Sequence, residues 1–456
     1  MIFERFFNDE LAQASFLIGC GASGEAIVVD PDRHVEDYIL AAEAKGLRIV
    51  AVTETHIHAD YLSGSRELAS VTGAKLYLSD EGTTDWKYGF GPAILLKHGD
   101  HIQIGAVRLD VLRTPGHTPE HISFLVTDAS VTDRPAAMLS GDFIFVGDVG
   151  RPDLLETAAG VTGSMEPAAR TLYQSLQRLL ELPNELVIWP GHGAGSACGK
   201  SLGGAPYTTL ADERATNWGL QAKSEASFVA DVLSGQPEPP TYFAVMKRLN
   251  KQGPPLRDTR PLRKLHRGQA PEGIILDIRP SEQAAKSHPK GALHIPLYRT
   301  FVTWAGWFVP YDRPIVLLAE SETDAIRARN SLALIGLDDV AGWTGAEAMD
   351  SAETKGWQKL DPSEALSRDD LAILDVRGQA EWQEGHLAQA IHIPLGYLPE
   401  RAAELSRSKP IAVHCGSGGR SPIAASLLQS MGFEQVFDIP EGYDGLSLLR
   451  PKSWSR

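Results

Sequence analysis

The sequence predicts a multidomain protein of the α/β and α+β classes. The chain has 456 residues, and a typical domain holds about 150 residues, so the length favours about three domains. Beyond residue 258, short apolar strands alternate with helical stretches, which is the pattern of a parallel sheet covered by helices. Part of that pattern occurs twice, and we therefore expect two related domains in the second half of the chain.

Glycine and proline mark the predicted domain boundaries. The range 211–233 is predicted to be one helix, which ends before Ser234-Gly235-Gln236-Pro237-Glu238-Pro239-Pro240. A short helix is predicted at 242–250, and Gly253-Pro254-Pro255 forms a second break. We therefore predict a first domain at 1–235, a linker at 236–257, and two further domains at 258–355 and 356–456.

Composition excludes several classes of partner. The formal net charge of −15 provides no basic field for nucleic acid or for an anionic membrane. The sequence contains no run of about 18 apolar residues, and its first ten residues include acids, so neither a membrane span nor a signal peptide is predicted. Three cysteines do not form a disulfide framework and suit a reducing compartment. We expect a cytoplasmic protein.

The first candidate site begins with Thr55-His56-Ile57-His58-Ala59-Asp60-Tyr61. This segment follows an apolar run at 47–53, so its two histidines emerge at the end of a strand and can face one cavity. Three more polar residues, each beside a glycine, follow other apolar segments: His117, Asp142 and His192. Because histidine and aspartate are common metal ligands, four such segments in order predict a metal site.

The order and local contexts of these residues resemble the metallo-β-lactamase superfamily over roughly residues 1 to 235. The resemblance implies an αββα sandwich with a metal at one edge of its two sheets. In two-metal hydrolases of that superfamily, such as glyoxalase II, a histidine stands where this chain has Tyr61. A neutral phenol, with an unperturbed pKa of about 10, is a poor ligand for a divalent metal. Tyr61 therefore argues against a two-metal hydrolytic site.

The remaining residues can supply two histidines and one carboxylate, the set that leaves coordination positions open in non-haem Fe(II) oxygenases. Persulfide dioxygenases are the branch of the superfamily with that chemistry. Resemblance to them implies one Fe(II) per chain, bound by His56, His117 and Asp142, with Zn(II) or Mn(II) as alternatives. Three other polar groups are expected to orient ligands or substrate, or to coordinate the metal themselves: His58, Asp60 and His192.

Three residues near these segments are candidate substrate contacts. Arg151 lies in a loop whose counterpart in persulfide dioxygenases borders the thiol-carrier pocket, and it either pairs with a substrate carboxylate or is an exposed loop arginine. Tyr61 is assigned to the same pocket. Cys198 either carries persulfide sulfur, with Lys200 favouring its thiolate, or is an inert small residue. His121 has no partner that the sequence identifies, and we expect it at the surface or behind the ligands.

Beyond residue 258 the sequence repeats itself. Ile275-Leu276-Asp277-Ile278-Arg279 recurs as Ile373-Leu374-Asp375-Val376-Arg377, and the segment 291–297 recurs at 389–395 with the same spacing. This regularity indicates two copies of one domain.

The second copy contains His414-Cys415-Gly416-Ser417-Gly418-Gly419-Arg420-Ser421, between a strand at 411–413 and a predicted helix. The N–H groups of a glycine-rich turn and of a helix N-terminus favour an anion, here a thiolate or persulfide, and Arg420 can add positive charge. Together with Glu384-Gly385-His386-Leu387, this loop resembles that of a rhodanese sulfurtransferase, over about 360 to 450. The resemblance implies that Cys415 carries the sulfur in a loop completed by Gly416, Ser417, Gly418, Gly419 and Arg420.

The first copy has a different loop. Aligning the preceding strands places Ala319 opposite Cys415 and Asp324 opposite Arg420. With no nucleophile and with acids that oppose anion binding, residues 258–355 are predicted to form an inactive rhodanese-like domain that packs against or orients the others.

The whole layout resembles bacterial persulfide dioxygenase–rhodanese fusions that detoxify sulfide. The resemblance implies oxidation of a small persulfide, such as glutathione persulfide, by O₂ to sulfite and thiol. It also implies transfer of sulfane sulfur through Cys415 to or from sulfite and thiosulfate. Members of the superfamily often pair, so the resemblance allows a homodimer, and the oligomeric state stays open. Two alternatives stay open: a zinc-dependent thioester hydrolase of the glyoxalase II type joined to a sulfurtransferase, and a sulfur-relay protein with an idle front domain.

Overall fold

A computed structural model describes residues 1–157, 162–266, 269, 272–349 and 353–449. The chain divides into two compact units. The first is formed by Met1–Asp258 with Ala333–Gly336, and the second by Thr259–Leu332 with Leu337–Arg456. The division of the second unit into 258–355 and 356–456 stays a prediction.

Two mixed sheets form the centre of the first unit, and in each the strands lie side by side in chain order. The first sheet comprises β1 (Ile2–Asn8), β2 (Gln13–Cys20), β3 (Glu25–Val29), β4 (Arg48–Thr53), β5 (Lys75–Ser79) and β6 (Ile94–Leu96). The second comprises β7 (His101–Ile104), β8 (Val107–Arg113), β9 (Ile122–Asp128), β10 (Ala137–Gly141), β11 (Val187–Pro190) and β12 (Thr208–Thr209). The helices are α1 (Val35–Ala44), α2 (Ser65–Thr72), α3 (Leu154–Thr157), α4 (Met165–Leu179), α5 (Leu210–Thr216), α6 (Glu225–Leu233) and α7 (Phe243–Gln252), with a 3₁₀ turn at Thr84–Trp86.

The alternation of side chains along the strands produces the layers of this unit. Phe16 of β2 and Phe124 of β9 lie in the same core, between the two sheets. The neighbouring Leu17 points to the opposite face of its sheet, where it packs with Tyr38 of α1. Helices α4 and α6 cover the outer face of the second sheet. The predicted αββα sandwich is therefore confirmed.

The prediction of one helix at 211–233 is wrong. The chain forms α5 and α6 instead, separated at Asn217, which takes extended backbone angles. The side-chain amide of Asn217 donates to the carbonyl of Asp148 at 2.9 Å, and its oxygen accepts from the N–H of Gly219. Ser224 then starts α6 with a capping box. Local polar bonds therefore interrupt a segment that has helical composition.

Helix α7, predicted at 242–250, lies within the segment predicted as a linker, 236–257. Its Asn250 donates to the carbonyls of His58 and Tyr61, each at 2.8 Å, and accepts from the N–H of Ser63. The segment is therefore part of the first unit, and α7 supports the loop that follows β4.

The second unit contains two parallel sheets and one short antiparallel pair. One sheet has the order β15-β13-β16-β17 and the other β19-β23-β22-β20-β21, while β14 pairs with β18. The strands are β13 (Ile274–Asp277), β14 (His288–Pro289), β15 (Leu293–His294), β16 (Ile315–Leu318), β17 (Val340–Thr344), β18 (Thr354–Lys355), β19 (Gln358–Lys359), β20 (Ala372–Asp375), β21 (Ile391–His392), β22 (Ile411–His414) and β23 (Val436–Asp438). The helices are α8 (Ser281–Lys286), α9 (Phe301–Phe308), α10 (Glu322–Ala333), α11 (Pro362–Ser367), α12 (Gln379–Glu384), α13 (Leu398–Arg401), α14 (Ser421–Ser430) and α15 (Gly442–Leu448), with 3₁₀ turns at Ala346–Met349, Leu395–Tyr397 and Ala402–Glu404.

The sequence repeat has a counterpart in buried ion pairs. Arg279 binds Asp277 through two nitrogens, at 2.9 and 2.6 Å, and Arg377 binds Asp375 in the same way at the end of β20. In each copy the guanidinium also donates to a backbone carbonyl further along the chain. Each ion pair lies at the carboxyl end of a strand in the interior of its sheet, so the two copies have the same buried polar contact at the same place in the fold.

None of the helices in the described residues is long and apolar enough to cross a membrane.

Candidate metal centre and cysteine loop

Loops at one edge of the sandwich supply the polar side chains of the candidate metal centre. His56 lies in the loop after β4, and His117 in the loop between β8 and β9. Asp142 directly follows β10, and His192 follows β11, which is parallel to β10. Parallel strands end at the same edge of their sheet, and these side chains therefore converge. All four are at least 98% buried.

Hydrogen bonds fix the tautomer of His56. The hydroxyl of Thr55 donates to Asp30 Oδ2 at 2.9 Å, so it must accept from His56 Nδ1, which lies 2.9 Å away. The lone pair of His56 is therefore on Nε2. That atom is buried, has no hydrogen-bond partner among the described residues, and lies 3.8 Å from Asp142 Oδ2.

Backbone carbonyls orient the other two histidines. Nδ1 of His117 donates to the carbonyl of Arg151, and Nδ1 of His192 donates to that of Ala12, each at 3.0 Å. Their Nε2 atoms then carry the lone pairs, and each lies 3.5 Å from an oxygen of Asp142. Second partners of this kind commonly fix the ligand nitrogen in metal sites.

The arrangement suits a cation. Three imidazole lone pairs face carboxylate oxygens with no proton between them, and both oxygens of Asp142 are buried without a hydrogen-bond partner in the described part of the chain. Burial lowers the pKa of His56 well below its usual value, and neighbouring histidines lower it further. Burial also lowers the pKa of His117. Neutral imidazole is the form that binds a metal, so the residues present fit a divalent ion.

Two groups of donor atoms lie close enough to hold an ion in the described residues. His56, His117 and Asp142 form the first, and their donor atoms are all within 4.8 Å of one another. The second group consists of Asp60, His192 and Cys198, with the same limit. The structure thus brings together the three residues predicted as iron ligands and places Asp60 and His192 beside them.

His58 is held away from the first group by Asp30. Its Nε2 lies 3.2 Å from Asp30 Oδ1. Burial acts to lower the pKa of His58, but the charge and hydrogen bond of Asp30 outweigh it and raise the pKa to about 9. Asp30 also accepts from the N–H and hydroxyl of Thr55. It was missed in the sequence, although an aspartate directly after β3, beside parallel strand β4, is a signal that could have identified it.

Tyr61 takes no part in either group of donor atoms. Its side chain is fully buried, and its hydroxyl donates to the carbonyl of Asp30 at 3.2 Å and accepts from Gln13 at 3.3 Å. Its ring lies 4.5 Å from that of His58. Tyr61 is therefore a buried residue that packs and forms hydrogen bonds beneath the loop after β4. These hydrogen bonds give no support to the prediction that it contacts substrate, which stays a prediction.

Of the two positions expected for His121, at the surface or behind the ligands, the structure confirms the second. His121 is fully buried, and its Nε2 accepts from the backbone N–H of Asp142 at 3.1 Å. Its Nδ1 then donates to Thr114, whose hydroxyl bonds Ser123. Burial lowers the pKa of His121 to about 3, so the ring is neutral and can accept this bond. Through it, His121 positions the backbone of Asp142.

The prediction that Arg151 is an exposed loop arginine is wrong, and its pairing with a substrate carboxylate stays a prediction. The side chain is 1% exposed and binds Asp153 through two nitrogens, at 2.9 and 2.7 Å. A third nitrogen donates to the carbonyl of Ala197. Arg151 is thus buried, and its guanidinium already pairs with a protein carboxylate. Its carbonyl orients His117 and its guanidinium holds the loop that carries Cys198.

Arg151→Met is expected to lower the free energy of unfolding by about 3–5 kcal/mol, because it leaves the Asp153 carboxylate buried and unpaired. Arg108→Met is a matched control, since Arg108 makes an Arg–Asp pair of the same sequence spacing with Asp110 on the exposed face of β8. That variant is expected to lose less than about 1 kcal/mol. Urea unfolding of the full-length protein measures both, and equal losses would contradict a structural role for the buried pair.

The prediction that Lys200 favours a thiolate at Cys198 is wrong. The amino group of Lys200 donates to the carbonyl of Asp231 and lies over the ring of Trp218. Cys198 is 1% exposed. Burial raises the pKa of its thiol well above the usual value, as do the negative charges near it. The thiol is nonetheless in the second group of donor atoms, so it is not remote from the candidate centre.

The loop after β22 surrounds the sulfur of Cys415. The backbone N–H groups of Gly418 and Arg420 donate to Sγ at 3.2 and 3.3 Å, and the hydroxyl of Ser421 lies 3.9 Å away. Gly418 has a φ of +85°, and a Cβ there would meet the carbonyl of Pro440. The turn therefore requires glycine at this position, and its N–H groups point at the sulfur as predicted for a site that stabilises an anion.

The guanidinium of Arg420 is already paired. It binds Glu381 of α12 through two hydrogen bonds of 2.6 Å. Sequence reasoning missed Glu381, because it lies far from the loop in the chain. Arg420 therefore shares its charge between Glu381 and the site, and the backbone N–H groups of Gly418 and Arg420 add to the positive field at the sulfur.

The corresponding loop of the first copy differs in structure as well. Ala319 follows β16 as Cys415 follows β22, and Asp324 accepts from Ser321 rather than facing a guanidinium. A small cavity of about 120 Å³ beside this loop is lined by Glu320, Asp324, Arg327 and others. Its walls carry two carboxylates and, with Arg279, two guanidinium groups, so the cavity has no excess of positive charge for an anion.

Comparisons with known proteins agree with this architecture. The profile of the metallo-β-lactamase superfamily matches residues 8–192, and that of the rhodanese-like domain matches residues 361–448. A crystal structure of a metallo-β-lactamase from Staphylococcus aureus subsp. aureus COL is 40% identical, with 76% of this chain and 99% of that chain covered and a TM-score of 0.70. The chain belongs to the metallo-β-lactamase superfamily, and it also carries a rhodanese-like domain.

Two curated relatives differ in activity. A hydroxyacylglutathione hydrolase from Polaromonas sp. is 29% identical over 282 residues, which are 55% of this chain and 100% of that protein. The mitochondrial persulfide dioxygenase ETHE1 of Bos taurus is 27% identical over 223 residues, 48% of this chain and 75% of that protein. Similarity of this degree supports an enzyme with a metal site. It does not distinguish the two reactions, so the choice between them has to be argued from the residues of the site.

Proposed function

We propose that the first unit is a persulfide dioxygenase with one Fe(II), and that the domain containing Cys415 is a sulfurtransferase. The observation that carries the first part is the ligand set. His56, His117 and Asp142 supply two imidazoles and one carboxylate, which is the set of non-haem Fe(II) oxygenases. At the position where two-metal hydrolases have a further histidine, this chain has Tyr61, whose hydroxyl is bonded to protein groups.

In the proposed reaction, a persulfide, O₂ and water give a thiol, sulfite and two protons. Fe(II), when bound, would supply the redox chemistry for oxygen addition to sulfur. The residues of this chain prepare the site. Thr55 and the Arg151 carbonyl hold the imidazole tautomers of His56 and His117, and His121 fixes the backbone of Asp142. Burial of the ligands excludes bulk water from the reacting sulfur.

A cavity beside the His117 loop is the proposed place for the thiol carrier. It has a volume of about 500 Å³, and its walls include Gly116 and Pro119, which flank His117, together with Trp86 and Arg113. The carboxylate of Glu81 pairs with Arg113 at 3.0 Å. An apolar wall that carries one guanidinium and one carboxylate suits a small thiol that bears both carboxylate and ammonium groups, such as glutathione. In this proposal Arg113 takes the role that the sequence assigned to Arg151.

The second activity is a transfer of sulfane sulfur in two balanced steps. The Cys415 thiolate attacks the outer sulfur of a persulfide and releases a thiolate, and the Cys415 persulfide then passes that sulfur to sulfite, giving thiosulfate and restoring the thiolate. N–H groups of Gly418 and Arg420 are placed to stabilise the negative sulfur in both forms. The domain at 258–355 has Ala319 at the nucleophile position, and we propose that it is inactive.

Oxygen consumption tests the proposal. Full-length protein loaded anaerobically with Fe(II) is expected to consume O₂ and form sulfite when glutathione persulfide is added. A zinc-loaded sample is the matched control, because Zn(II) occupies similar ligands without redox chemistry. If the iron form consumes no O₂ while the zinc form hydrolyses a glutathione thioester, the enzyme is a hydrolase like its relative from Polaromonas sp. and the proposal is wrong.

A further inference from the structure

A buried carboxylate lies behind the loop of Cys415 and has no part in the sulfur transfer described above. This residue, Asp438, is 2% exposed and ends β23. Strand β23 pairs in parallel with β22, and the register places Asp438 beside Val413. Asp438 therefore lies next to the end of β22 at which Cys415 begins its loop.

Ser421 connects this carboxylate to the sulfur. It is the first residue of α14 and is fully buried. The thiol of Cys415 donates to the Ser421 hydroxyl over 3.9 Å, while Sγ accepts from the N–H groups of Gly418 and Arg420. A hydroxyl that accepts one hydrogen bond still has its own proton to donate. The Asp438 carboxyl receives that bond, which lowers its pKa. The three side chains thus form a chain of hydrogen bonds from thiol to carboxyl.

The surroundings of Asp438 make its carboxyl a proton acceptor near neutral pH. Burial raises its pKa to about 6, against the lowering effects of the Ser421 hydroxyl and of the positive charge of Lys359 on β19, and the negative charge of Glu441 raises it further. Asp438 Oδ1 is buried and has no hydrogen-bond partner among the described residues. A buried carboxylate that is incompletely paired is costly for stability. Groups of this kind are candidates for a role in proton transfer.

We propose that Asp438 accepts the proton of the Cys415 thiol during sulfur transfer, and that Ser421 carries the proton between them. The inference rests on the proposed sulfurtransferase and supplies its base. The thiol proton moves to the Ser421 oxygen as Ser421 gives its own proton to Asp438. A bond forms between Sγ and the outer sulfur of the persulfide, the S–S bond of the persulfide breaks, and its electron pair leaves with the thiolate. That thiolate takes one proton from solvent and Asp438 releases one, so protons and charge balance.

A purely structural Asp438 has the opposite effect on the sulfur. A negative charge near a thiol disfavours the thiolate. If Asp438 only filled space, removal of its charge would therefore make Cys415 more reactive. If Asp438 accepts the thiol proton, the same change makes Cys415 less reactive above the pKa of the carboxyl.

Alkylation of Cys415 by iodoacetamide, measured by mass spectrometry of its peptide at acidic and neutral pH, tests this relay without turnover. In the full-length protein the rate is expected to rise through a pH of about 6, where Asp438 loses its proton. Asp438→Asn has nearly the same shape and is expected to lose that rise. Its alkylation at neutral pH should slow by about 10–30-fold, because a free cysteine is still a few per cent thiolate there.

Ser421→Ala interrupts the same relay and serves if Asp438→Asn fails to fold. It is expected to show the same loss, and the double variant no further loss, since both changes remove one pathway. Asp370→Asn is the matched control, because Asp370 is an exposed aspartate of the same domain that pairs with Arg368. That variant is expected to keep both the rate and its rise with pH.

Sulfur transfer from glutathione persulfide to sulfite, measured on the same samples, separates the relay from the proposed activity. Asp438→Asn is expected to lower transfer in parallel with alkylation. If Asp438→Asn is alkylated at least as fast as the unmodified protein while that protein transfers sulfur, the relay is wrong and the sulfurtransferase stands. If the unmodified protein transfers no sulfur while its alkylation still depends on Asp438, the proposed activity is wrong and the relay stands.

Discussion

His117→Ala is expected to abolish iron binding and oxygen uptake while sulfur transfer through Cys415 continues. The substitution removes the Nε2 donor that lies 3.5 Å from Asp142 Oδ2. It also removes the N–H group that donates a hydrogen bond to the carbonyl of Arg151. Loss of a direct ligand weakens a metal site by at least about 100-fold, since loss of an outer partner alone costs 10–100-fold. Iron content after desalting and the rate of oxygen consumption measure the two losses.

His101→Ala controls for the loss of an imidazole from the same sheet. His101 is an exposed residue of β7, and its replacement is expected to leave iron content and oxygen uptake unchanged. Thiosulfate sulfurtransferase turnover is the third measurement, because it reports the domain of Cys415 in the same molecule. Full iron content in His117→Ala would remove this residue from the ligand set, and loss of both activities would argue against independent sites.

The positions of the candidate metal ligands could be predicted because they depend on short-range rules. Asp142 directly follows β10, and His56 follows β4 after a few residues. An apolar run predicts a strand, and the carboxyl ends of parallel strands meet at one edge. The glycine-rich turn around Cys415 could be recognised for the same reason, since strand, turn and helix are consecutive in the chain.

The partners of those ligands could not be predicted, because they come from distant parts of the chain. Arg151 orients His117 with its carbonyl, and the glutamate that pairs with Arg420 comes from α12. His121 was expected either at the surface or behind the ligands, and the sequence did not identify its partner, the backbone N–H of Asp142. Tertiary packing, rather than the local sequence pattern, decides which polar residues become buried and which groups they form hydrogen bonds with.

The place of the Cys198 thiol in the second group of donor atoms could not be predicted either, because it also depends on contacts between distant parts of the chain. Its sequence context, a glycine-rich loop after His192, gives no indication that Asp60 lies next to Cys198. The apparent charge partner, Lys200, points instead to Asp231. Residues that are adjacent in the sequence therefore misled the assignment, whereas two loops that are remote in sequence supply the three donors.

Cys415→Ser is expected to abolish sulfur transfer, with a loss of at least about 10³-fold, and to leave oxygen uptake by the iron-loaded enzyme intact. A serine hydroxyl at the same place still meets the N–H groups of Gly418 and Arg420, so the loop should keep its shape. It is a far weaker nucleophile at neutral pH than a thiolate and forms no persulfide. Thiosulfate formation from glutathione persulfide and sulfite measures transfer, and an oxygen electrode measures the other activity.

Cys20→Ser is the control, because Cys20 is a buried thiol on β2 of the first unit that accepts from a backbone N–H. It is expected to retain both activities. In Cys415→Ser, persulfide oxidation should then end at sulfite, since the sulfite formed by the dioxygenase has no Cys415 persulfide to react with. Thiosulfate formation at the unmodified rate would mean that sulfite reacts with free persulfide in solution. In that case the loop of Cys415 would serve another acceptor, and the proposed coupling of the two reactions would be wrong.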